Sequence, residues 1–141
     1  MELTTELIAK RFDKYNKLYF NNSLPKPEFK IINSYNNCGS FRFLENRQKT
    51  KIHHELIEIS GNYDWTDKQL RDILVHEMIH FYLIRNKREN KRRPHSGEFL
   101  KMATEFNEKY GMNITKRVDL SKLKQKKDLP KRRGFFASLF S

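Results

Sequence analysis

The chain has 141 residues, of which 37% are hydrophobic and 33% charged, and its mass is 17.1 kDa. This length suits one small globular domain and leaves no room for two full domains. The mean hydropathy is −0.87, and no apolar stretch approaches the roughly 20 residues of a membrane-spanning helix. Since the first ten residues also lack the apolar core of a signal peptide, we expect a cytoplasmic protein.

The charge balance and the cysteine count narrow the possible partners and metal sites. There are 29 Lys and Arg against 17 Asp and Glu, a formal net charge of +12, and such a field attracts polyanions, with nucleic acid the first candidate. The plainer interpretation is a charge that only maintains solubility. Because Cys38 is the single cysteine, an internal disulfide and a cysteine-based zinc ribbon are excluded. A metal would be held mainly by His and carboxylates.

The first half of the chain predicts one helix and a small sheet. Apolar residues recur at helical spacing from Thr5 to Tyr19, and the prolines at 25 and 27 end this helix. Three short extended segments follow, at Phe29–Ile31, Phe41–Phe43 and Ile52–Ile59. We expect them to form a three-stranded antiparallel sheet.

The second half predicts two further helices. Thr66 and Gln69 form a capping box, and Trp65 and Leu70 occupy hydrophobic-staple positions. A helix is therefore expected from Thr66 to about Arg85. A basic loop, residues 86–94, separates it from a last helix that Ser96 could cap and Gly111 could end, with a buried face of Phe99, Leu100, Ala103 and Phe106. The predicted fold class is α+β.

The second helix carries the pattern HExxH as His76-Glu77-Met78-Ile79-His80. Residues four apart share one face of a helix, so the two imidazoles can bind one Zn²⁺ at about 2.0–2.1 Å. Glu77 leans toward the same point and can act as general base and acid. The alternative is a pair of core histidines, but a carboxylate buried beside them needs a partner, which zinc supplies.

A catalytic zinc site uses three protein ligands and keeps a fourth position for water. The third ligand must come from elsewhere in the chain, and the candidates are His95, His53, His54, Glu98 and Glu105. Cys38 is a ligand on chemical grounds, but nothing in the sequence positions it. We favour His95, because a tight return just before the last helix can aim its side chain back at the HExxH helix.

Three segments of the sequence resemble the SprT-like (Spartan-type) zinc metalloproteases. HEMIHFYLIRNKRENKRRPHSGEF, residues 76–99, is similar to their active-site segment, with 14 residues between the second and third histidines. YNKLYFNNSLPKP, residues 15–27, resembles the first helix and its turn, and IHHELIEIS, residues 52–60, resembles the strand before the active-site helix. The resemblance covers roughly residues 10 to 110.

This resemblance implies a zincin-like protease domain, which we place at residues 1–115. It implies one zinc ion per chain held by His76, His80 and His95, with Glu77 as the catalytic acid and base. It also implies cleavage of proteins trapped on DNA, with DNA binding gating the activity, and hence a nucleoid association if the source is bacterial.

The sequence departs from the family in two places. Many members carry a four-cysteine zinc ribbon after the protease domain, which one cysteine cannot build, and Ser96 stands where the family usually has Gly. DNA contacts are therefore expected from the basic loop and the tail, at Lys87, Arg88, Lys91, Arg92, Arg93, Lys131, Arg132 and Arg133.

We expect residues 116–141 to form a basic, flexible tail, since they carry nine Lys and Arg against two Asp. Its apolar ending, Phe135 to Phe140, loosely resembles the C-terminal peptides with which bacterial repair proteins dock on the sliding clamp. Contact with an anionic membrane surface and simple disorder are the alternatives.

Several residues are candidates for supporting roles in the site. Tyr82, Tyr63 and His54 are candidates for a second oxyanion donor, and Asp72 is a candidate hydrogen-bond partner for His76 or an exposed helix acid. Phe41, Phe43 and Trp65 could stack on bases. For the two phenylalanines we favour the core, because their alternation fits a half-buried strand.

The sequence therefore predicts a DNA-associated zinc-dependent endopeptidase that cleaves DNA-bound or DNA-crosslinked proteins. The alternative is a catalytically idle zincin-like protein that binds nucleic acid and keeps zinc for structure, and a third class is a zinc hydrolase of another polymer. A site with three ligands favours catalysis, because structural zinc sites are usually closed by four protein ligands.

Overall fold

In a computed structural model of the protein, residues 1–126 are described. The elements in chain order are α1 (Thr5–Tyr19), β1 (Glu28–Ile32), β2 (Gly39–Glu45), β3 (Ile52–Ser60), α2 (Asp67–Arg85), α3 (Glu98–Tyr110) and a short 3-10 helix (Leu120–Lys122). The predicted α+β class is confirmed. Lys131, Arg132, Arg133 and the apolar ending at residues 135–140 lie outside the described residues.

The sheet has the order β1-β3-β2, and its pairing differs from the prediction. β2 pairs antiparallel with β3, but β1 pairs parallel with β3, so the wholly antiparallel sheet was wrong. Alternating side chains report which face of a strand is buried, not the direction of its neighbour. β3 takes the centre because Ile57 and Ile59 are fully buried there, and residues 33–38 carry the chain from β1 to the opposite edge.

A bulge interrupts the pairing of β2 with β3. Arg42 pairs with Leu56 and Leu44 with His53, so Phe43 faces two residues of β3. One of these, His54, has the left-handed φ of 55°. Bulges of this kind bend the strand that carries the extra residue, and this one lies next to the hairpin that joins the two strands.

The N-terminus of α2 has the predicted capping box. Thr66 Oγ1 accepts from the backbone N–H of Gln69 at 3.1 Å, and Gln69 Oε1 accepts from the backbone N–H of Thr66 at 3.1 Å. The helix then runs through the centre of the molecule and contacts α1, α3, β2 and β3. Trp65 is buried and donates to the Ser60 carbonyl at 2.8 Å, which leaves its ring unavailable for stacking on a base.

The start of α3 corrects the predicted cap. The N-cap is Gly97, with a φ of 57° and no side-chain hydrogen bond, while Ser96 Oγ donates to the Arg93 carbonyl at 2.8 Å. Glycine takes this position because the loop enters the helix through a left-handed residue. The helix ends at Gly111, which is left-handed as a glycine terminator should be.

The segment after α3 packs back onto the domain. The Asn107 side-chain amide exchanges two hydrogen bonds with the backbone of Ile114, at 2.8 and 2.9 Å. Leu123 is buried, and Gln125 forms a β-bridge with Tyr63. The domain boundary at residue 115 and the tail after it stay predictions. In the structure, residues 116–126 pack against the rest of the domain through these contacts. No helix in residues 1–126 has the length and apolar character needed to cross a membrane.

Gly39 lies where β2 packs tightly against α2. A Cβ at this position would lie 2.9 Å from Ile73 Cγ1 and 3.3 Å from the Glu58 carbonyl oxygen. Gly39→Ala is therefore expected to lower the free energy of unfolding by about 1–3 kcal/mol, the usual cost of overpacking. Urea unfolding would measure it, with the exposed Leu44→Thr on the same strand as control. An unchanged midpoint for Gly39→Ala would contradict this close packing.

Candidate metal centre

Three histidine side chains meet at one point, and we call His76, His80 and His95 the histidine cluster. The Nε2 atoms of His76 and His80, one turn apart on α2, are 3.3 Å from each other. His95 Nε2 lies 3.3 Å from that of His76 and 3.0 Å from that of His80. Within residues 1–126 no other group of three His, Cys, Asp or Glu side chains converges in this way.

The geometry of the histidine cluster fits a zinc ion. Nitrogen ligands placed tetrahedrally at 2.0–2.1 Å from Zn²⁺ lie about 3.3–3.4 Å apart, close to the spacings observed. A neutral imidazole has one donor and one acceptor nitrogen, so three Nε2 atoms in mutual contact cannot all satisfy one another. A cation between them can accept all three lone pairs.

A single aromatic ring packs against all three rings of the histidine cluster. Phe99, on the first turn of α3, stacks on the His80 ring with centroids 4.5 Å apart, and meets the rings of His76 and His95 edge to face at 4.9 and 5.0 Å. The ring is almost fully buried. Because Phe99 begins the same helix that follows His95, it couples the position of the third histidine to the packing of α3.

Burial favours the neutral imidazole in two of the three histidines, His76 and His95. It lowers the pKa of His76 to about 3, with His80 and His95 adding to the shift and the backbone of Thr115 opposing it. Burial also lowers the pKa of His95, again with a contribution from His80. Metal binding requires neutral imidazoles, so these ligands need lose no proton at neutral pH.

Glu77 lies beside the cluster on α2 and is 5% exposed. Burial, with a smaller contribution from the charge of Glu89, raises the pKa of the Glu77 carboxyl to about 8. A bound cation nearby would favour the carboxylate.

The cluster and Glu77 line an open cavity of about 700 Å³, which we call the metal groove. Edge strand β2 contributes Gly39, Phe41 and Phe43, and the segment after α3 contributes Lys116 and Arg117. Phe41 also stacks on the core ring of Phe81 at 4.9 Å. Both phenylalanines are half-buried and line the groove. Phe41 packs against the core as predicted, whereas the predicted core position of Phe43 is wrong, because its ring stacks on the outer side of Phe41 at 5.6 Å.

The sequence profile of the SprT-like family matches residues 8–118. The chain belongs to the SprT-like family. This is generally a family of metalloproteases, and the histidine cluster fits a zinc site in such a protein. None of the curated proteins compared with the chain matches it.

The other candidate ligands of this SprT-like domain do not converge with the three histidines. His53 and His54 are exposed on β3 and pack against each other, and Glu105 is exposed on α3. Glu98 Oε2 accepts from Arg88 at 2.7 Å. Cys38 lines the metal groove, but burial and the charge of Glu77 raise the pKa of its thiol to about 11.

The structure shows a carboxylate contact that sequence analysis missed. Glu89 Oε1 lies 2.5 Å from His80 Nδ1, and both side chains are 11% exposed. A carboxylate on Nδ1 fixes the proton there and leaves the Nε2 lone pair for the metal. The available signal was that Glu89 is the only acid in the basic segment 85–93.

Asp72 does not contact His76, and its side chain is not exposed either, so neither of the two roles left open for it is observed. Its carboxylate accepts from Lys68 at 3.0 Å and Arg71 at 3.1 Å, and also from the Asn113 backbone N–H at 3.2 Å. Helical side chains lean toward the N-terminus, which takes the Asp72 carboxylate away from a histidine one turn later. His76 Nδ1 is buried, and the polar group that acts on this histidine from outside the cluster is the backbone of Thr115, not Asp72.

The three predicted oxyanion donors do not line the metal groove. Tyr63 is buried and donates to the Tyr35 carbonyl at 2.6 Å, and His54 is exposed on β3. Tyr82 packs against Phe20 with centroids 5.8 Å apart. The cationic side chains that do line the groove are Lys116 and Arg117, which sequence analysis assigned to the tail.

The basic side chains of the loop do not all face the same way: two line a cavity and the other three do not. Lys87 and Lys91 line a second cavity beside the metal groove. Arg88 turns to Glu98 and lies over the Tyr82 ring at 5.7 Å. The backbone N–H groups of Arg92 and Arg93 donate to the Asn90 side chain, at 3.0 and 3.2 Å, and both arginines are exposed.

Glu89→Ala is expected to weaken zinc binding about 10- to 100-fold, the usual effect of removing a carboxylate from a metal-binding histidine. Titration against a chromophoric chelator would measure the zinc Kd. The control is Glu98→Gln, which removes the neighbouring Arg88 ion pair but no contact to the histidine cluster. Equal zinc affinity in wild type and Glu89→Ala would contradict the role assigned to this contact.

Proposed function

We propose that this SprT-like protein is a zinc-dependent endopeptidase with His76, His80 and His95 as the metal ligands. The observation that carries the proposal is the convergence of three Nε2 atoms within 3.0–3.3 Å of one another, beside Glu77, in an open groove. Structural zinc sites are usually closed by four protein ligands. A cluster of three in an accessible groove supports catalysis instead.

Zinc in such a site supplies Lewis acidity, which activates water and polarises a carbonyl group. Glu77 then acts as the general base that takes the proton of the attacking water and returns it to the leaving amine. Its near-complete burial keeps the carboxyl in place between the two transfers. Lys116 and Arg117 line the groove and can stabilise negative charge that develops on the carbonyl oxygen.

The edge strand of the sheet gives the groove a way to hold a peptide. β2 pairs only with β3 among the described strands, and its residues 39–41 and 43 line the metal groove. An extended peptide can add to such an edge through main-chain hydrogen bonds, which are independent of its sequence. This supports a protein substrate over another polymer.

We further propose that the substrates are proteins bound or crosslinked to DNA. The net charge of +12 supports association with a polyanion, and the family resemblance supports the substrate class. The sliding-clamp contact of the apolar ending and the DNA contacts of Lys131, Arg132 and Arg133 remain predictions about residues outside those described. A nucleoid location follows if the DNA association holds and the source is bacterial.

Glu77→Gln is expected to lower cleavage of a DNA-crosslinked protein by about 10²–10⁴-fold, because the amide cannot accept the proton. Elemental analysis should still find one zinc per chain, since Glu77 is not a ligand. The exposed Glu105→Gln on α3 is the matched control and should cleave as wild type does. Cleavage that survives Glu77→Gln would refute the mechanism, and a wild-type protein that binds zinc but never cleaves would support the idle scaffold.

A further inference from the structure

A second cavity of about 860 Å³ adjoins the metal groove, and we call it the basic cavity. The hairpin between β2 and β3 contributes Lys49 and Lys51, and the segment at and after the end of α2 contributes Arg85, Lys87 and Lys91. Four residues, Phe43, Ile84, Glu89 and Pro94, line both cavities. A molecule in the basic cavity would therefore lie beside the candidate metal centre.

The basic cavity carries an excess of positive charge. Five exposed Lys and Arg side chains line it against two acids, Glu45 and Glu89. Glu89 is held by His80 at 2.5 Å, and Glu45 is 3.8 Å from Lys91 Nζ. At least three cations are thus left to meet an anionic ligand, and Arg88, which is paired with Glu98, is not among the lining residues.

The backbone holds the lysines in a defined geometry. Asn46 closes the hairpin turn, with its Oδ1 accepting from the backbone N–H groups of Thr50 at 2.8 Å and Lys51 at 3.1 Å. Lys49 and Lys87 both have left-handed φ values, 56° and 58°, which cost a lysine free energy that asparagine or glycine would largely avoid. Both strained lysines line the same cavity, as expected of residues whose charge is needed there.

Apolar side chains make up another part of the lining. They belong to Phe43, Ile52, Ile84 and Pro94. A free phosphate ion would leave this apolar surface unused, and a duplex keeps its bases stacked inside. A single strand presents phosphates to the lysines and base faces to the aromatic ring, the combination that sequence-independent single-strand sites use.

We propose that the basic cavity binds a short segment of single-stranded nucleic acid next to the metal groove. The proposal rests on the proposed function, because it assigns the DNA contact of that protease to a place. A strand held there brings a protein attached to it toward β2 and the histidine cluster. The shared wall at Glu89 also means that a strand in the basic cavity contacts the loop that orients His80.

The test measures binding of a fluorescein-labelled 20-nucleotide oligo(dT) to the full chain by anisotropy over a range of salt concentrations. Lys49→Gln/Lys51→Gln is expected to weaken binding about tenfold, and to reduce the slope of log K against log salt by about 1.4, since each phosphate contact of a single strand contributes about 0.7. Lys10→Gln/Lys17→Gln, on exposed positions of α1, is the matched control and should change neither.

A second variant probes the stacking surface. Phe43→Leu should lower the affinity for oligo(dT) severalfold and leave the salt slope unchanged, because it removes a ring and no charge. The same oligonucleotide annealed to oligo(dA) should bind more weakly than the single strand. Zinc content should stay at one per chain in all these variants, which shows that the fold and the histidine cluster are intact.

Three outcomes would overturn the proposal. The first is that the hairpin variant and the α1 variant bind oligo(dT) with equal affinity, and the second is that the duplex binds more tightly than the single strand. The third is that poly-glutamate of the same charge displaces oligo(dT) as effectively as unlabelled oligo(dT) does, which would identify the cavity as an acidic-peptide site. The binding assay needs no cleavage. Its failure would leave the endopeptidase intact, and a failure of the Glu77→Gln experiment would leave the strand site intact.

Discussion

The meeting of three imidazole nitrogens at one point is the constraint on which the rest of the site depends. Two of them come from one face of α2, and the third, His95, returns to them after 14 intervening residues, beyond the end of that helix and the loop after it. That return is fixed by a left-handed glycine at the start of α3 and by the Phe99 ring under all three histidines. Without a cation the three Nε2 atoms meet only one another and cannot all be satisfied in that way, so the packing of the helices and the binding of metal are coupled.

The loop between the second and third histidines connects the metal centre to the charged surface. Its single acid, Glu89, contacts His80 inside the protein, while Lys87 and Lys91 face the basic cavity. One segment therefore orients a ligand and presents positive charge. The β2–β3 hairpin completes that surface with Lys49 and Lys51, which are distant from the loop in sequence. The structure has two adjoining cavities, and we propose that one holds a polypeptide and the other a nucleic acid strand.

Local sequence signals predicted the parts of the fold that depend on local physics. The bounds of α1, the capping box at Thr66 and the glycine at the end of α3 follow from periodicity and capping. The HExxH spacing indicated two of the histidines. The third, His95, was favoured among several candidates for its place just before the last helix, and the resemblance then implied the same residue. The parallel pairing of β1 with β3, the Glu89 contact and the hairpin lysines depend on which segments meet in three dimensions. Sequence periodicity carries no information about contacts between segments that are distant in the chain.

The most direct test of the central claim is X-ray absorption spectroscopy at the zinc edge of the purified, zinc-loaded protein. The account predicts three imidazole nitrogens and one oxygen at about 2.0–2.1 Å, with the multiple-scattering features of histidine. A sulfur ligand at about 2.3 Å would place Cys38 in the site, and four protein nitrogens would make the zinc a closed structural ion. Either result would contradict a catalytic centre built from His76, His80 and His95.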